Sequence, residues 1–144
     1  MLPDQLRAAI SVIIGDIEDE LAGIQPLIGL ANLRPLDFIE TAAAAQIIQS
    51  IYTGIEGFMV LVAKKIDTAV ISGLSWHQEL IELMAHPTAN RPLLFSEITI
   101  NSLKIYLGFR HIVRHSYSNR LREDRVRELL LGLPQTLDNG KKRY

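Results

Sequence analysis

The sequence contains no cysteine, which excludes disulfides and thiolate metal sites. It also lacks a long apolar run: the longest unbroken one, FMVLVA at Phe58–Ala63, is too short to cross a bilayer. The start, MLPDQLRAAI, does not have the basic-then-apolar layout of a signal peptide. A cytoplasmic location is therefore expected, with no membrane partner. Strand-like alternation and internal repeats are missing too, which leaves helices as the building material. What is present is a globular balance, with 48% apolar and 22% charged residues over 144 positions. That length suits one domain with a buried core.

The net charge of −1 conceals an asymmetry. Residues 1–103 carry five basic and twelve acidic side chains, whereas residues 104–144 carry ten basic and four acidic ones. A basic C-terminal third on an acidic body points to an anionic partner at that end, nucleic acid being the commonest. A solvated helix face with a lysine-rich tail gives the same pattern.

Apolar periodicity divides the chain into five helices. Pro3 and Asp4 open the first, with Asp4 as its cap. Leu6, Ile10, Ile13, Ile17, Leu21 and Ile24 then recur at steps of three and four. Asp16, Glu18, Asp19 and Glu20 fall off that stripe and read as a solvated face rather than a metal site, because adjacent helical positions diverge by about 100°. Pro26 and Gly29 are expected to end or kink this helix, and Ala31–Leu36 to form a linker. Asp37 and Glu40 predict a reciprocal cap for a long second helix reaching about Asp67. Its seam is Ile48, Ile51, Ile55, Phe58, Val62 and Ile66. Gly54 and Gly57 inside it imply tight packing against another helix, to offset about 1 kcal/mol each. Glu56 either pairs with an arginine of the basic end or points to solvent.

Ser75 and Gln78 predict a cap for a short third helix with Trp76, Leu80, Leu83 and Met84 in the core. His77 reads as a structural histidine and His86 as a loop residue. The stretch from His86 to Leu94 is a loop long enough to border a groove. Ser96 caps the fourth helix. Ile98, Ile105, Phe109 and Ile112 line one face of it and Ile100, Leu103 and Leu107 another, so it is central or half covered by a second subunit. After a break at Ser116–Asn119, a fifth helix packs Val126, Leu129, Leu130 and Leu133, turns Arg120, Arg122, Arg125 and Arg127 mostly outward, and stops at Pro134. The expected fold is an all-α, single-domain bundle over residues 1–134, with a basic, mobile tail at 135–144.

The fourth helix ends in FRHIVRHSY, Phe109–Tyr117. Arg110, His115 and Tyr117 give the order R-x4-H-x-Y. On a regular helix Arg110 and His115 diverge by roughly 140°. Either the helix unwinds before His115, or two copies of the motif meet across a two-fold axis. A histidine titrating near neutrality can exchange a proton with a ribose 2′-OH or a leaving 5′-oxygen. An arginine can hold the phosphate and stabilise charge developing on it.

The motif, placed near the end of a fourth helix, resembles the signature of the HEPN superfamily and specifically its HepT-like ribonuclease toxins. YTGIE (Tyr52–Glu56), SWHQELIELM (Ser75–Met84), RP (Arg91–Pro92) and YLGFRH (Tyr106–His111) are similar to members of that family. The resemblance spans roughly Gln46 to Leu133. The position after the motif arginine, often asparagine in relatives, is His111 here. The resemblance implies a homodimer whose paired motifs line one cleft and cut RNA without metal or cofactor, leaving 2′,3′-cyclic phosphate ends. It implies Arg110 and His115 as the catalytic pair, with His111 and Arg114 binding substrate. It further implies a minimal nucleotidyltransferase antitoxin as partner, which adenylylates Tyr117 and so blocks the RNA site; the other reading of Tyr117 is a tyrosine closing the helix end against the core.

Two other readings compete. His111 and His115, spaced i, i+4, share a helix face as in zinc-binding helices, but no glutamate follows His111 and Arg110 and Arg114 would repel a cation. Alternatively, the cationic segment is the docking face of a non-catalytic helical module that binds a nucleotidyltransferase partner or a nucleotide.

Overall fold

Capping chemistry sets where the long helices begin. In the computed structural model, which describes residues 3–141, Asp37 accepts from the Glu40 amide at 2.8 Å and Glu40 Oε1 accepts from the Asp37 amide at 2.9 Å. This reciprocal cap starts helix α2 (Phe38–Lys65). Ser96 accepts from the Thr99 amide and starts α4 (Glu97–Arg114). The others are α1 (Asp4–Leu33), α3 (Trp76–Met84) and α5 (Glu123–Lys141), with a 3-10 turn at Ser118–Arg120. There is no strand among the described residues, and the fold is the all-α bundle of five helices that the periodicity predicts.

Several local expectations fail for identifiable reasons. Pro3, not Asp4, is the N-cap of α1, with no side-chain cap. Pro26 lies inside α1, which runs on to Leu33. Ala22 and Pro26 are both exposed, so the carbonyl that loses its amide donor is left in water. The linker therefore shrinks to Arg34–Asp37, where Arg34 forks onto Glu40 at 2.7 and 2.8 Å. Ser75 caps α3 without a bond to Gln78; its hydroxyl instead reaches Glu79 at 3.4 Å. Pro134 does not stop α5, which continues to Lys141. Thr136 and Leu137 are buried beyond it, and that burial holds the last turns on the bundle. Residues 135–141, expected as tail, are thus helical, while 142–144 lie outside the described residues.

Helix α2 is the axis of the molecule and packs against each of the other four helices. Its length and apolar content would suit a membrane span, but Ala44, Ala45, Ile48, Ile51, Met59, Val62 and Ala63 are buried within the bundle. Gly54 lies at the crossing with α1, where an added Cβ would sit 2.9 Å from Ile17 Cγ1. Gly57 has open space around it, so the tight packing expected at both glycines exists only at Gly54. Gly57→Ala is therefore expected to raise stability by about 1 kcal/mol in urea unfolding. Gly54→Ala should lose that gain, because Ile17 has to shift.

Tyr106 donates to the Leu129 carbonyl at 2.7 Å and fixes α4 on α5. Burial is the main reason its ionisation is pushed up to about 12 from the ordinary 10. The unfolded phenol ionises first, so this contribution is intact below pH 10 and is lost as pH rises through 12. An alkaline titration should show Tyr106 forming phenolate only as the bundle unfolds, read as near-ultraviolet absorbance against circular dichroism.

Below α3 the chain is held by one buried ion pair. Arg91 Nε and Nη2 donate to Asp67 Oδ1 and Oδ2 at 2.9 and 2.7 Å. The same guanidinium donates to the carbonyls of His86, Pro92 and Leu83 at 2.9, 2.9 and 3.2 Å. With side chains 5% and 3% exposed, Arg91 and Asp67 fasten the segment after α2 to the loop before α4.

Candidate functional site

Helix α4 delivers the cationic segment. Its inner face carries Ile100, Leu103, Tyr106 and Phe109 into the core, and the same face takes Arg110 inward, leaving it half-buried. Arg110 Nε is buried without a hydrogen-bond partner, an unusual state for a donor. Beside it on α2 lies Tyr52, its hydroxyl buried near Glu56 and Arg110. Burial chiefly, then the Glu56 charge, pushes the ionisation of Tyr52 well above its usual range, while Arg110 pulls it back.

The helix stays regular to Arg114 and then ends. His115 is the C-cap at φ −116° and ψ 13°, its amide bonded to the Ile112 carbonyl. The helix does not unwind before the motif histidine, so the angular divergence from Arg110 persists. His111, Arg114 and His115 are all exposed, and the His111 and His115 rings approach to 4.6 Å between centroids. A single chain thus brings together the two histidines, but no hydrogen bond joins Arg110 to His115. Tyr117 follows in extended backbone, 78% exposed. Among the described residues no three histidine, aspartate or glutamate side chains gather into a ligand set.

On the side of α4 that carries His111, a groove of about 860 Å³ runs between α3 and α4. His77, Glu79 and Glu82 line it from α3, and Lys104, Leu107, Gly108 and His111 from α4. Glu82 and Lys104 form an ion pair along it. Glu56 neither pairs with an arginine nor points to solvent: it is 7% exposed, and His77 Nδ1 lies 2.6 Å from its Oε2. The partners are 21 residues apart on different helices, so no local spacing announces them. The only signal was Glu56 beside an apolar seam.

The apolar line expected on α4 divides in two. Phe109 is buried, whereas Ile98, Ile105 and Ile112 are 69%, 46% and 53% exposed. Spaced by seven, they drift only about 20° per step and make one uncovered stripe. Of the arginines expected to face out near α5, Arg122, Arg125 and Arg127 pair with Asp124, Glu128 and Glu123. Arg114 and Arg120 are exposed and form no ion pair among the described residues.

A family model described as HepT-like protein matches residues 43–142, over two thirds of the chain and all of the site just described. No curated protein matches the chain, and no solved structure does.

Proposed function

This chain belongs to the HepT-like family, and from that premise we propose that it is a HEPN-type ribonuclease toxin that cleaves RNA without a metal at a dimer cleft. The observation that carries the reading is the buried, partnerless Nε of Arg110 at the same helix end as three exposed cationic or titratable side chains. A buried arginine donor without a partner fits an anion bound by the same guanidinium, and a phosphodiester is the anion an arginine fork and an imidazole can process together.

The exposed stripe Ile98–Ile105–Ile112 supports a second copy packed along α4. Such a copy would bring its own Arg110 and His115 to the same cleft, which offsets their divergence within one chain. In this reading His115 exchanges the proton of the reacting ribose or leaving oxygen, Arg110 clamps the phosphate, and His111 and Arg114 hold the strand. Arg122 and Arg125 can trade their carboxylates for phosphates, since exposed ion pairs contribute only about 0.2–1 kcal/mol. Tyr117, exposed two residues from His115, is the adenylylation site for a minimal nucleotidyltransferase antitoxin. The added phosphate would oppose incoming RNA by charge and bulk.

The test is RNA cleavage by protein produced without a partner, in excess EDTA, with the new 3′ ends identified chemically. Cleavage that persists and leaves 2′,3′-cyclic phosphate is the expected result. Cleavage abolished by EDTA would transfer the site to a metal held by His111 and His115. Intact RNA, with Tyr117 unmodified by mass, would replace catalysis with a non-catalytic module that binds a nucleotidyltransferase or a nucleotide.

A further inference from the structure

The Glu56–His77 pair has no part in the mechanism above. A carboxylate buried to 7% exposure and bonded at 2.6 Å to a ring nitrogen is an expensive arrangement unless the pair is used or tightly satisfied. An ionised carboxylate can only accept, so the bond to Glu56 places the imidazole proton on Nδ1. In the neutral ring Nε2 is then the nitrogen with a lone pair. The His77 side chain is 29% exposed and lines the α3–α4 groove. The Trp76 ring lies 3.6 Å from it between centroids and limits its rotation. His111 lines the same groove, and the His111 ring is 4.6 Å from that of His115. His77 and His111 thus share the groove, and His115 adjoins His111.

We propose that His77, oriented by Glu56, is the general base of RNA cleavage, and that RNA enters along the α3–α4 groove; this rests on the ribonuclease reading given above. His77 Nε2 takes the ribose 2′-OH proton as the 2′-oxygen bonds to phosphorus. The bond from phosphorus to the 5′-oxygen breaks, and His115 gives its proton to that oxygen. One proton enters the protein and one leaves, no electrons are exchanged, and the ends are cyclic phosphate and 5′-OH. Glu56 then faces an imidazolium and stabilises it, as the carboxylate of a serine-protease triad does. Glu56 from α2 holds His77, and Glu79 and Glu82 from its own helix and Lys104 and His111 from α4 line the groove with it. The base then belongs to the same chain as His111 and His115, and the groove becomes a substrate surface rather than a crevice left by packing.

The experiment compares wild-type protein, His77→Ala, His77→Gln and His115→Ala for RNA cleavage, with and without added imidazole, beside circular dichroism. Loss of a general base lowers kcat by about 10²–10⁴-fold, and KM should change little. The expected result is that loss in His77→Ala with partial recovery in imidazole, and an equally slow, folded and unrescued His77→Gln. Wild-type rates in His77→Gln, with His115→Ala inactive, would overturn the role of His77 and leave the ribonuclease reading standing. Loss in His77→Ala that follows loss of folded protein, without recovery in imidazole, would also overturn it. Intact RNA with wild-type protein would overturn both.

Discussion

His115→Ala should reduce RNA cleavage by about 10²–10⁴-fold, the range for removing a side chain that transfers a proton in the transition state. The same change should leave stability within about 0.5 kcal/mol, because the exposed imidazole takes no part in the core and the cap bond is made by the backbone. The reason is in the geometry. His115 fixes the end of α4 through its backbone amide on the Ile112 carbonyl, which alanine keeps. Its exposed imidazole makes a ring contact with His111. Single-turnover cleavage together with urea unfolding separates the two effects. An alanine variant that retains its activity would remove His115 from the chemistry. Equal losses of activity and stability would make it a structural residue instead.

Asp67→Ala should lower stability by about 3–5 kcal/mol, the effect of leaving a buried charge without its partner. That is a large share of the roughly 5–15 kcal/mol that holds a domain of ordinary size. Arg91 would retain its bonds to three backbone carbonyls but lose both carboxylate oxygens. Thr88 would lose its bond to Asp67 at 3.1 Å as well. The change should appear as a displaced urea midpoint, with the greatest loss of amide protection in the chain between α2 and α3 and in the loop before α4. An unfolding midpoint within error of wild type would show that the pair contributes nothing net. Asp67→Asn, which keeps the shape and one acceptor, should fall between the two.

Five helices and the two acidic or hydroxyl caps at Asp37 and Ser96 were legible in the sequence, because each depends on residues within one or two turns. The clustering of His111, Arg114 and His115 at one helix end was legible for the same reason. The prolines misled. Pro26 and Pro134 carry a strong local instruction, but a helix can pass a proline where water takes the freed carbonyl, or where side chains beyond it are buried. The two pairs that join distant segments, Glu56–His77 and Arg91–Asp67, link residues 21 and 24 positions apart. Nothing in local spacing encodes such contacts. The line through Ile98, Ile105, Phe109 and Ile112 shows the same limit. Period alone marks four apolar residues, and only the packed bundle separates the buried phenylalanine from the three uncovered isoleucines.

Tyr117 stands in extended backbone between two helix ends, and its side chain contributes neither core packing nor a hydrogen bond to the bundle. A group attached to its oxygen would thus leave the folding equilibrium almost untouched. If Tyr117 is modified as proposed, abundance and activity would be independent variables: a cell could hold a full stock of folded, silent molecules and release them without refolding any. A switch seated in the core would instead make each silencing event a step toward degradation.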